Sequence, residues 1–223
     1  METFEKVLDK PARPLTAIVG GAKISTKLDL LGHLLKKVDV LIIGGAMANT
    51  FLLALGKNIG KSLAERDLVE TACTIMDEAK SAKREIVLPV DAVVAEQFEA
   101  HAPSRVVDVD HVGENDMILD IGPRSIEQVA SVLARSKTLV WNGLFGAFEI
   151  EPFDIGTVEV AEATAELTGA GKLVSVAGGG DTVAALNVAG VADRLTYVST
   201  AGGAFLEWLE GKALPGIEVL RIK

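Results

Sequence analysis

Short apolar segments that alternate with helical patterns constrain the fold of this chain more than any other feature. The segments are nearly continuous in Val, Ile and Leu, which is typical of strands buried on both faces of a parallel sheet. They cover residues 15–19, 38–43, 85–90, 117–121, 138–141, 172–177 and 195–199. Because no low-complexity linker interrupts residues 1–223, the sequence predicts one α/β domain of three layers, a parallel sheet with helices on both faces.

Residues 91–112 do not follow this pattern. Two short apolar runs flank Pro103, and neither leads into a helical pattern. We expect this stretch to form a small hairpin or an excursion at the edge of the sheet.

The composition excludes two classes of partner. The chain has a net charge of −9 and a pI of about 4.9, whereas nucleic acids and anionic membrane surfaces favour dense Lys and Arg. The longest apolar runs are also far below the ~20 residues that span a bilayer. We therefore expect no nucleic acid and no membrane as partner.

The single cysteine and the first residues indicate the compartment. One cysteine, Cys73, allows no internal disulfide and is typical of a reducing compartment. It falls on an apolar stripe of a predicted helix, which favours core packing. Residues 1–10 are charged and do not resemble a signal peptide. We expect a cytoplasmic protein that is a monomer.

Glycine-rich junctions follow six of the predicted strands. They lie at residues 20–23, 44–47, 121–125, 141–146, 177–181 and 200–204. In a parallel sheet these junctions share the carboxyl edge, where open α/β sheets bind ligands. Glycine lets backbone N–H groups approach a ligand, and helix N-termini add positive potential. The pattern predicts a polyphosphate site, although a single such junction is equally typical of a tight turn.

Two lysines lie near the start of a predicted helix over residues 24–35. Lys23 and Lys27 are one turn apart in this helical pattern. Cations at a helix N-terminus are unfavourable by a few tenths of a kcal/mol. A bound anion would make this placement useful.

Two carboxylates in the same junctions are candidate ligand groups. Asp181 and Thr182 fall at a helix start, where Asp is a favoured N-cap. Beside a polyphosphate, Asp181 would instead contact Mg²⁺, which binds one or two carboxylates together with phosphate oxygens. Glu149 follows another glycine-rich turn, where a ribose would lie, but an exposed loop charge is the simpler interpretation.

Two other nucleotide motifs lack support. Residues 56–62 resemble a Walker A loop, but three residues separate the glycines where that motif has four. We interpret Lys57 and Lys61 as solvated. No G-x-G-x-x-G follows a strand, so an oxidoreductase domain that binds a nicotinamide cofactor has little support.

Several long motifs resemble one kinase family. GGAKISTK, IIGGAMANTFL, LDIGP, VWNGLFGAFE, AGGGDTVAAL and STAGGAFLEWLEGKALPG occur in the order found in the C-terminal half of phosphoglycerate kinases. The resemblance covers essentially the whole chain and implies a Rossmann-like domain that binds ADP or ATP with Mg²⁺. The family transfers a phosphoryl group reversibly from 1,3-bisphosphoglycerate to ADP in glycolysis.

The resemblance also implies roles for individual residues. The implied catalytic residues are Lys27, Gly202 and Gly203, which would face the transferred phosphoryl group, and the implied metal ligand is Asp181. The implied nucleotide-binding residues are Gly21, Ala22, Lys23, Lys27, Gly44, Gly45, Gly122, Asn142, Gly143, Phe145, Glu149, Gly179, Gly180, Asp181 and Thr182. Of these, Gly122 and the turn of residues 142–145 would form walls of the adenosine pocket, and Glu149 would bind the ribose.

The chain departs from the family pattern in two ways. Ala201 and Leu144 replace a frequent glycine and a frequent proline, which we expect to change only loop stiffness. The family's N-terminal segments, which bind phosphoglycerate, have no counterpart in this sequence. We therefore expect a nucleotide-binding half whose partner is the N-terminal domain, and which binds nucleotide alone without turnover. A non-catalytic nucleotide-binding module that reuses this half remains the alternative.

Overall fold

The computed structural model describes residues 10–199 and residue 209, and its largest element is a six-stranded parallel sheet. The strands in chain order are β1 Leu15–Val19, β2 Val40–Ile43, β3 Glu85–Val87, β4 Asp91–Ala95, β5 Ser104–Asp108, β6 Met117–Ile121, β7 Thr138–Asn142, β8 Val174–Gly178 and β9 Tyr197–Ser199. The large sheet has the order β3-β2-β1-β7-β8-β9, and every described pairing in it is parallel.

Six α-helices within residues 10–199 cover this sheet. They are α1 Leu28–Lys37, α2 Gly45–Ala54, α3 Val69–Ser81, α4 Pro123–Arg135, α5 Ile155–Gly169 and α6 Gly180–Val188. Two short 3₁₀ turns, Arg66–Leu68 and Val109–His111, lie between helices, and a third, Ala192–Arg194, follows α6. None of the helices in residues 10–199 is long and apolar enough to cross a membrane.

The two faces of the large sheet carry separate cores, which confirms the predicted three layers. Along β1, Ala17 and Val19 pack with side chains of α1, α2 and α3. Ile18 lies on the opposite face and joins the core formed with α4, α5 and α6, which includes the fully buried Trp141. Burial of both faces explains why these strands have no polar alternation. Cys73 is half-buried on α3.

A second, three-stranded sheet corrects one sequence prediction. Residues 117–121 were expected in the parallel sheet, and this is wrong, because β6 pairs antiparallel with β4. The predicted hairpin in residues 91–112 is confirmed, since β4 also pairs antiparallel with β5. An apolar run predicts a strand but does not identify its partner, and here the hairpin supplies a free edge to β6.

The register of the large sheet aligns the carboxyl ends of its central strands. Val19, the last residue of β1, is opposite Ile43 of β2 and Asn142 of β7. The turns that follow β1 and β7 are in backbone contact, since a Cβ atom on Gly20 would lie 2.1 Å from the Leu144 carbonyl oxygen. The predicted ligand edge is therefore a continuous surface of strand ends.

Asp91, a buried residue of β4, holds the start of α4. One carboxylate oxygen accepts the Ser125 N–H at 2.8 Å and the Ser125 Oγ–H at 2.6 Å, and the other accepts the Arg124 N–H at 3.1 Å. No side chain of α4 itself caps this end. Asp91 of the small sheet thus caps α4, a helix that packs on the large sheet.

We expect Asp91→Ala to lower the free energy of unfolding by about 2–3 kcal/mol, because the buried Ser125 N–H and the partly buried Arg124 N–H lose their acceptor. Glu85→Ala is the matched control. Its carboxylate pairs with Arg135 where both side chains are about half exposed, so its loss should cost less than about 1 kcal/mol. Urea unfolding of both variants makes the comparison, and equal costs would contradict a capping role.

Candidate functional site

A cleft of about 740 Å³ opens at the carboxyl edge of the large sheet. The turns after β1, β7 and β8 and the first residues of α2 and α6 line one part of it, and the small sheet lines another. This volume is within the range of small-molecule sites in proteins.

Most of the predicted site residues meet in this cleft. Those that line it are Gly21, Ala22, Lys27, Gly45, Asn142, Gly143, Phe145, Glu149, Gly179, Gly180, Asp181 and Thr182. Glu149 and Asp181 are exposed to it, whereas Thr182 is buried. Gly202 and Gly203 lie outside the described residues.

Three predicted residues do not line the cleft. Gly44 packs against the ring of Phe145, since a Cβ atom on Gly44 would lie 2.8 Å from the ring. Gly122 precedes α4, and a Cβ atom there would lie 2.4 Å from the Asp91 carboxylate carbon. Lys23 is exposed on the turn before α1. Because α1 begins at Leu28 and not at residue 24, the expected alignment of Lys23 with Lys27 along one helix is wrong.

Lys27 places its ammonium group between the ends of β1 and β7. The Nζ atom donates to the Gly20 carbonyl oxygen at 2.6 Å and to Asn142 Oδ1 at 2.7 Å. Burial lowers the pKa of Lys27 to about 8, while the charge of Asp181 acts in the opposite direction. The two oxygen acceptors thus offset the unfavourable interaction of a cation with the helix N-terminus, and Lys27 keeps its charge at neutral pH.

The turns after β7 and β8 form one packed unit with Lys27. Asn142 Nδ2 donates to the Gly178 carbonyl oxygen at 2.8 Å, and the Gly143 N–H donates to Thr182 Oγ1 at 2.8 Å. Gly143 has φ of +117°, and a Cβ atom there would lie 2.2 Å from the Gly20 carbonyl oxygen. Only glycine fits this contact without displacing the backbone.

The start of α6 is open toward the cleft. Gly179 is its N-cap residue, and no side chain caps the helix. Asp181 therefore lies inside the first turn and is not the N-cap. Within residues 10–199, the N–H groups of Gly180, Asp181 and Thr182 have no hydrogen-bond acceptor. Free N–H groups at a helix N-terminus are a ready site for an anion.

The apolar wall of the cleft was not found by sequence reasoning. It consists of Ala92, Met117, Ile118, Leu119 and Ile121 from the small sheet, with Leu52, Leu63, Pro89, Phe98 and Leu144. These residues are distant in the sequence, and their apolar character also suits a core, so no local signal separates them. Lys61, interpreted as solvated, is exposed but lines the cleft, while Lys57 forms an ion pair with Asp110.

Asp120 is a buried carboxyl group beneath the cleft that sequence reasoning also missed. Its two oxygens accept the Gly156 N–H at 2.7 Å and the Ile121 N–H at 2.8 Å. The Gly156 N–H belongs to the first turn of α5. Burial raises the pKa of Asp120 to about 7 despite these two hydrogen bonds. The available signal was an acidic residue inside an otherwise apolar strand.

Asp181 is a carboxylate of the cleft that could hold Mg²⁺ together with phosphate oxygens. The described part of the chain contains no group of three or more His, Cys, Asp or Glu side chains arranged around a metal position. Mg²⁺ bound with a nucleotide needs only one or two carboxylates, because phosphate oxygens and water complete its coordination. Asp181, which is exposed to the cleft beside an open helix start, meets that requirement.

Fold and cleft define the class: a Rossmann-like α/β domain with its ligand cleft at the carboxyl ends of a parallel sheet. The family model described as "Phosphoglycerate kinase" matches residues 1–212. The chain belongs to the phosphoglycerate kinase family.

Individual relatives and solved structures agree with this family. The phosphoglycerate kinase of Xanthobacter autotrophicus is 64% identical over 221 residues, which are 99% of this chain and 56% of that protein. The enzyme of Agrobacterium fabrum is 61% identical over 220 residues, 99% of this chain and 55% of that protein. The chain thus spans a little over half the length of these relatives.

The fold comparison gives the same result. The structure of phosphoglycerate kinase from Coxiella burnetii matches with a TM-score of 0.93 at 45% identity, covering 99% of this chain and 57% of that one. The enzyme from Pyrococcus horikoshii matches with a TM-score of 0.82 at 31% identity, covering 99% and 55%.

We expect the pKa of Lys27, about 8 in the ligand-free chain, to fall further in Asp181→Asn. The reason is that the carboxylate stabilises the ammonium form. NMR titration of lysines carrying ¹³C-methyl groups measures this value, with Lys27→Met to assign the signal. Asp193→Asn, an exposed acid outside the cleft, is the control. An unchanged pKa in Asp181→Asn would show that the two charges do not interact.

Asp120 should make the free energy of unfolding depend on pH between about 4 and 7. Its pKa rises from 3.8 to about 7 on folding, so in this window the folded state holds a proton that the unfolded state has lost. The stabilisation is complete below pH 4 and is lost as the pH rises through 7, by up to about 1.4 kcal/mol per pH unit.

Urea unfolding of the parent chain and of Asp120→Asn at a series of pH values isolates this contribution. The variant should lack this part of the slope, whatever the substitution itself costs. If the free energy of unfolding depends on pH equally in the two chains, the raised pKa of Asp120 is refuted.

Proposed function

We propose that the cleft binds ADP or ATP with Mg²⁺ and that this chain serves as the nucleotide-binding half of a phosphoglycerate kinase. The full reaction is the reversible transfer of a phosphoryl group from 1,3-bisphosphoglycerate to ADP in glycolysis. The observation that carries the proposal is the meeting of the Lys27 ammonium group with the open start of α6 in one cleft.

The strand-end part of the cleft suits phosphates. Lys27 contributes a positive charge held by Gly20 and Asn142. The first N–H groups of α6 lack acceptors within residues 10–199, and the helix dipole adds partial positive charge. Phosphate oxygens can accept from both groups, because Lys27 and residues 179–182 line the same space.

The apolar wall suits a purine ring. Ile118, Leu119 and Phe98 present apolar surface to the cleft, and Phe98 is 59% exposed. Burial of such surface by a base is favourable in proportion to its area. Glu149 is exposed at the cleft, and its carboxylate can accept hydrogen bonds from ribose hydroxyls.

Asp181 is the residue that would hold Mg²⁺. Its carboxylate would repel phosphates directly, so a cation between them converts repulsion into attraction. Mg²⁺ bound there would neutralise phosphate charge during transfer.

Lys27 is the proposed catalytic residue among those described. Phosphoryl transfer depends on positioning and on stabilising charge rather than on covalent help from the protein. A partly buried ammonium group interacts strongly with a phosphoryl group, because little water screens it. No general base is needed when a phosphate oxygen of ADP attacks. Gly202 and Gly203, outside the described residues, stay a prediction from the family resemblance.

The phosphoglycerate site is proposed to lie in the part of the family's length that this chain does not span. The covered 56% of the Xanthobacter autotrophicus relative leaves room for a second domain. Catalysis requires donor and acceptor to be held in line, a contribution that can reach about 7–11 kcal/mol. We therefore propose that the N-terminal domain is the partner required for turnover.

Calorimetry with ADP and ATP tests the nucleotide site. In excess Mg²⁺ we expect saturable binding of both nucleotides at sub-millimolar concentrations. Asp181→Asn should weaken binding about tenfold in Mg²⁺, equivalent to about 1.4 kcal/mol, and less than about threefold in EDTA. Asp193→Asn, which is exposed outside the cleft, should behave like the parent chain.

Two results would contradict the proposal at different points. Absence of binding heat at millimolar nucleotide, with circular dichroism of a folded α/β protein, would exclude the nucleotide site. If Asp181→Asn weakens nucleotide binding equally in Mg²⁺ and in EDTA, the nucleotide site stands but Asp181 is not the metal ligand.

A further inference from the structure

Glu65 makes a two-point contact with the turn that carries Lys27. The Ser25 N–H donates to Glu65 Oε2 at 3.0 Å, and the Ser25 Oγ–H donates to Glu65 Oε1. The two residues are 40 positions apart. Ser25 lies in the turn between β1 and α1, two residues before Lys27.

This contact is the main tether of the turn to the rest of the chain. The Ile24 N–H also contributes a hydrogen bond to Glu65. Within the described residues, the remaining hydrogen bonds of residues 23–27 are local, such as Lys27 N–H to the Ile24 carbonyl, continue into α1, or come from the Lys27 ammonium group. Ile24 contributes a fully buried side chain. The polar fixation of the turn therefore depends on Glu65.

Glu65 is itself fixed to a rigid element. Its N–H donates to Thr50 Oγ1 at 3.0 Å, and Asn49 Nδ2 donates to the Leu63 carbonyl oxygen at 3.0 Å. Asn49 and Thr50 are buried residues of α2. The Glu65 carboxylate thus connects the Lys27 turn to the helix whose first residues line the cleft.

The carboxylate is held in its charged form. Burial acts to raise the pKa of Glu65, but hydrogen bonds from Ser25 and Ile24 and the charge of Lys23 outweigh it and lower the pKa. An ionised carboxylate forms stronger hydrogen bonds than a neutral acceptor. The contact with Ser25 persists at neutral pH.

We propose that Glu65, through Ser25, is a positioning residue that fixes the turn of residues 23–27 and thereby places the Lys27 ammonium group on the strand-end carbonyls. Its effect on nucleotide rests on the proposed function, whereas its effect on Lys27 does not. Loss of the tether lets the turn move outward, so Lys27 gains solvent and its pKa rises toward the ordinary value.

The test measures the Lys27 pKa by NMR of ¹³C-methylated lysines in the full 223-residue chain without nucleotide. Glu65→Ala should raise it by about half a unit to one unit, a three- to tenfold change in proton affinity. Ser25→Ala should raise it by less, because the Ser25 N–H still donates to Glu65. Ser25→Thr retains the hydroxyl and should restore the parent value. Glu70→Ala, an exposed glutamate at the start of α3, is the control and should change nothing.

Calorimetry with Mg²⁺ and ADP gives the second readout. We expect Glu65→Ala to weaken binding about three- to tenfold and Ser25→Ala to weaken it less. The double variant should bind no more weakly than Glu65→Ala, because Ser25→Ala removes only a hydrogen bond that Glu65→Ala has already removed. A raised Lys27 pKa with no nucleotide binding even in the parent chain would refute the proposed function but support the tether.

A Lys27 pKa that stays at its parent value in Ser25→Ala and in folded Glu65→Ala would overturn the positioning role. If Glu65→Ala fails to fold, Glu65→Gln takes its place, because the amide keeps the size of the side chain but is a weaker acceptor than the carboxylate. An unchanged Lys27 pKa in Glu65→Gln and in Ser25→Ala would then overturn the positioning role.

Discussion

The contact of the Lys27 ammonium group with the strand-end acceptors is the interaction around which the cleft is arranged. The Gly20 carbonyl and Asn142 Oδ1 receive its hydrogen bonds, and Asn142 in turn donates to the Gly178 carbonyl. Three parallel strands and the start of α1 thus share one hydrogen-bonded group. A cation at a helix start is unfavourable by itself, but three strands that end side by side supply enough acceptors to hold it charged and only partly solvated.

Two buried carboxyl groups connect the small sheet to the helices of the large one. Asp91 on β4 caps α4, and Asp120 on β6 accepts from the first turn of α5. Each replaces a cap that the helix itself lacks. The small sheet is consequently fixed beside the carboxyl edge, where its apolar residues complete the cleft. The same two contacts therefore link helix stability to the shape of the ligand site.

Sequence reasoning succeeded where local pattern and tertiary environment agree. β1 was predicted at residues 15–19 and is found at Leu15–Val19, because burial on both faces leaves an uninterrupted apolar run. The glycine turns after β1, β7 and β8 were predicted to meet at one cleft, because parallel strands end at the same edge of a sheet. The prediction failed for β6, because an apolar run does not show which strand it will pair with. Gly122 packs against the Asp91 carboxylate and does not line the cleft, so its role in an adenosine pocket stays a prediction from the family resemblance.

The sequence by itself determined the three-layer α/β class, the strand-end glycines, and Lys27, Asn142 and Asp181 as candidate site residues. These follow from periodicity, from chain order and from motifs that resemble one family. Only the tertiary structure decided which groups surround them: the apolar wall from the small sheet, the capping carboxyl groups, and the Ser25–Glu65 contact across 40 positions. The physical reason is that hydrogen bonds and burial depend on distances in space, whereas sequence patterns report only neighbours within one helix or strand.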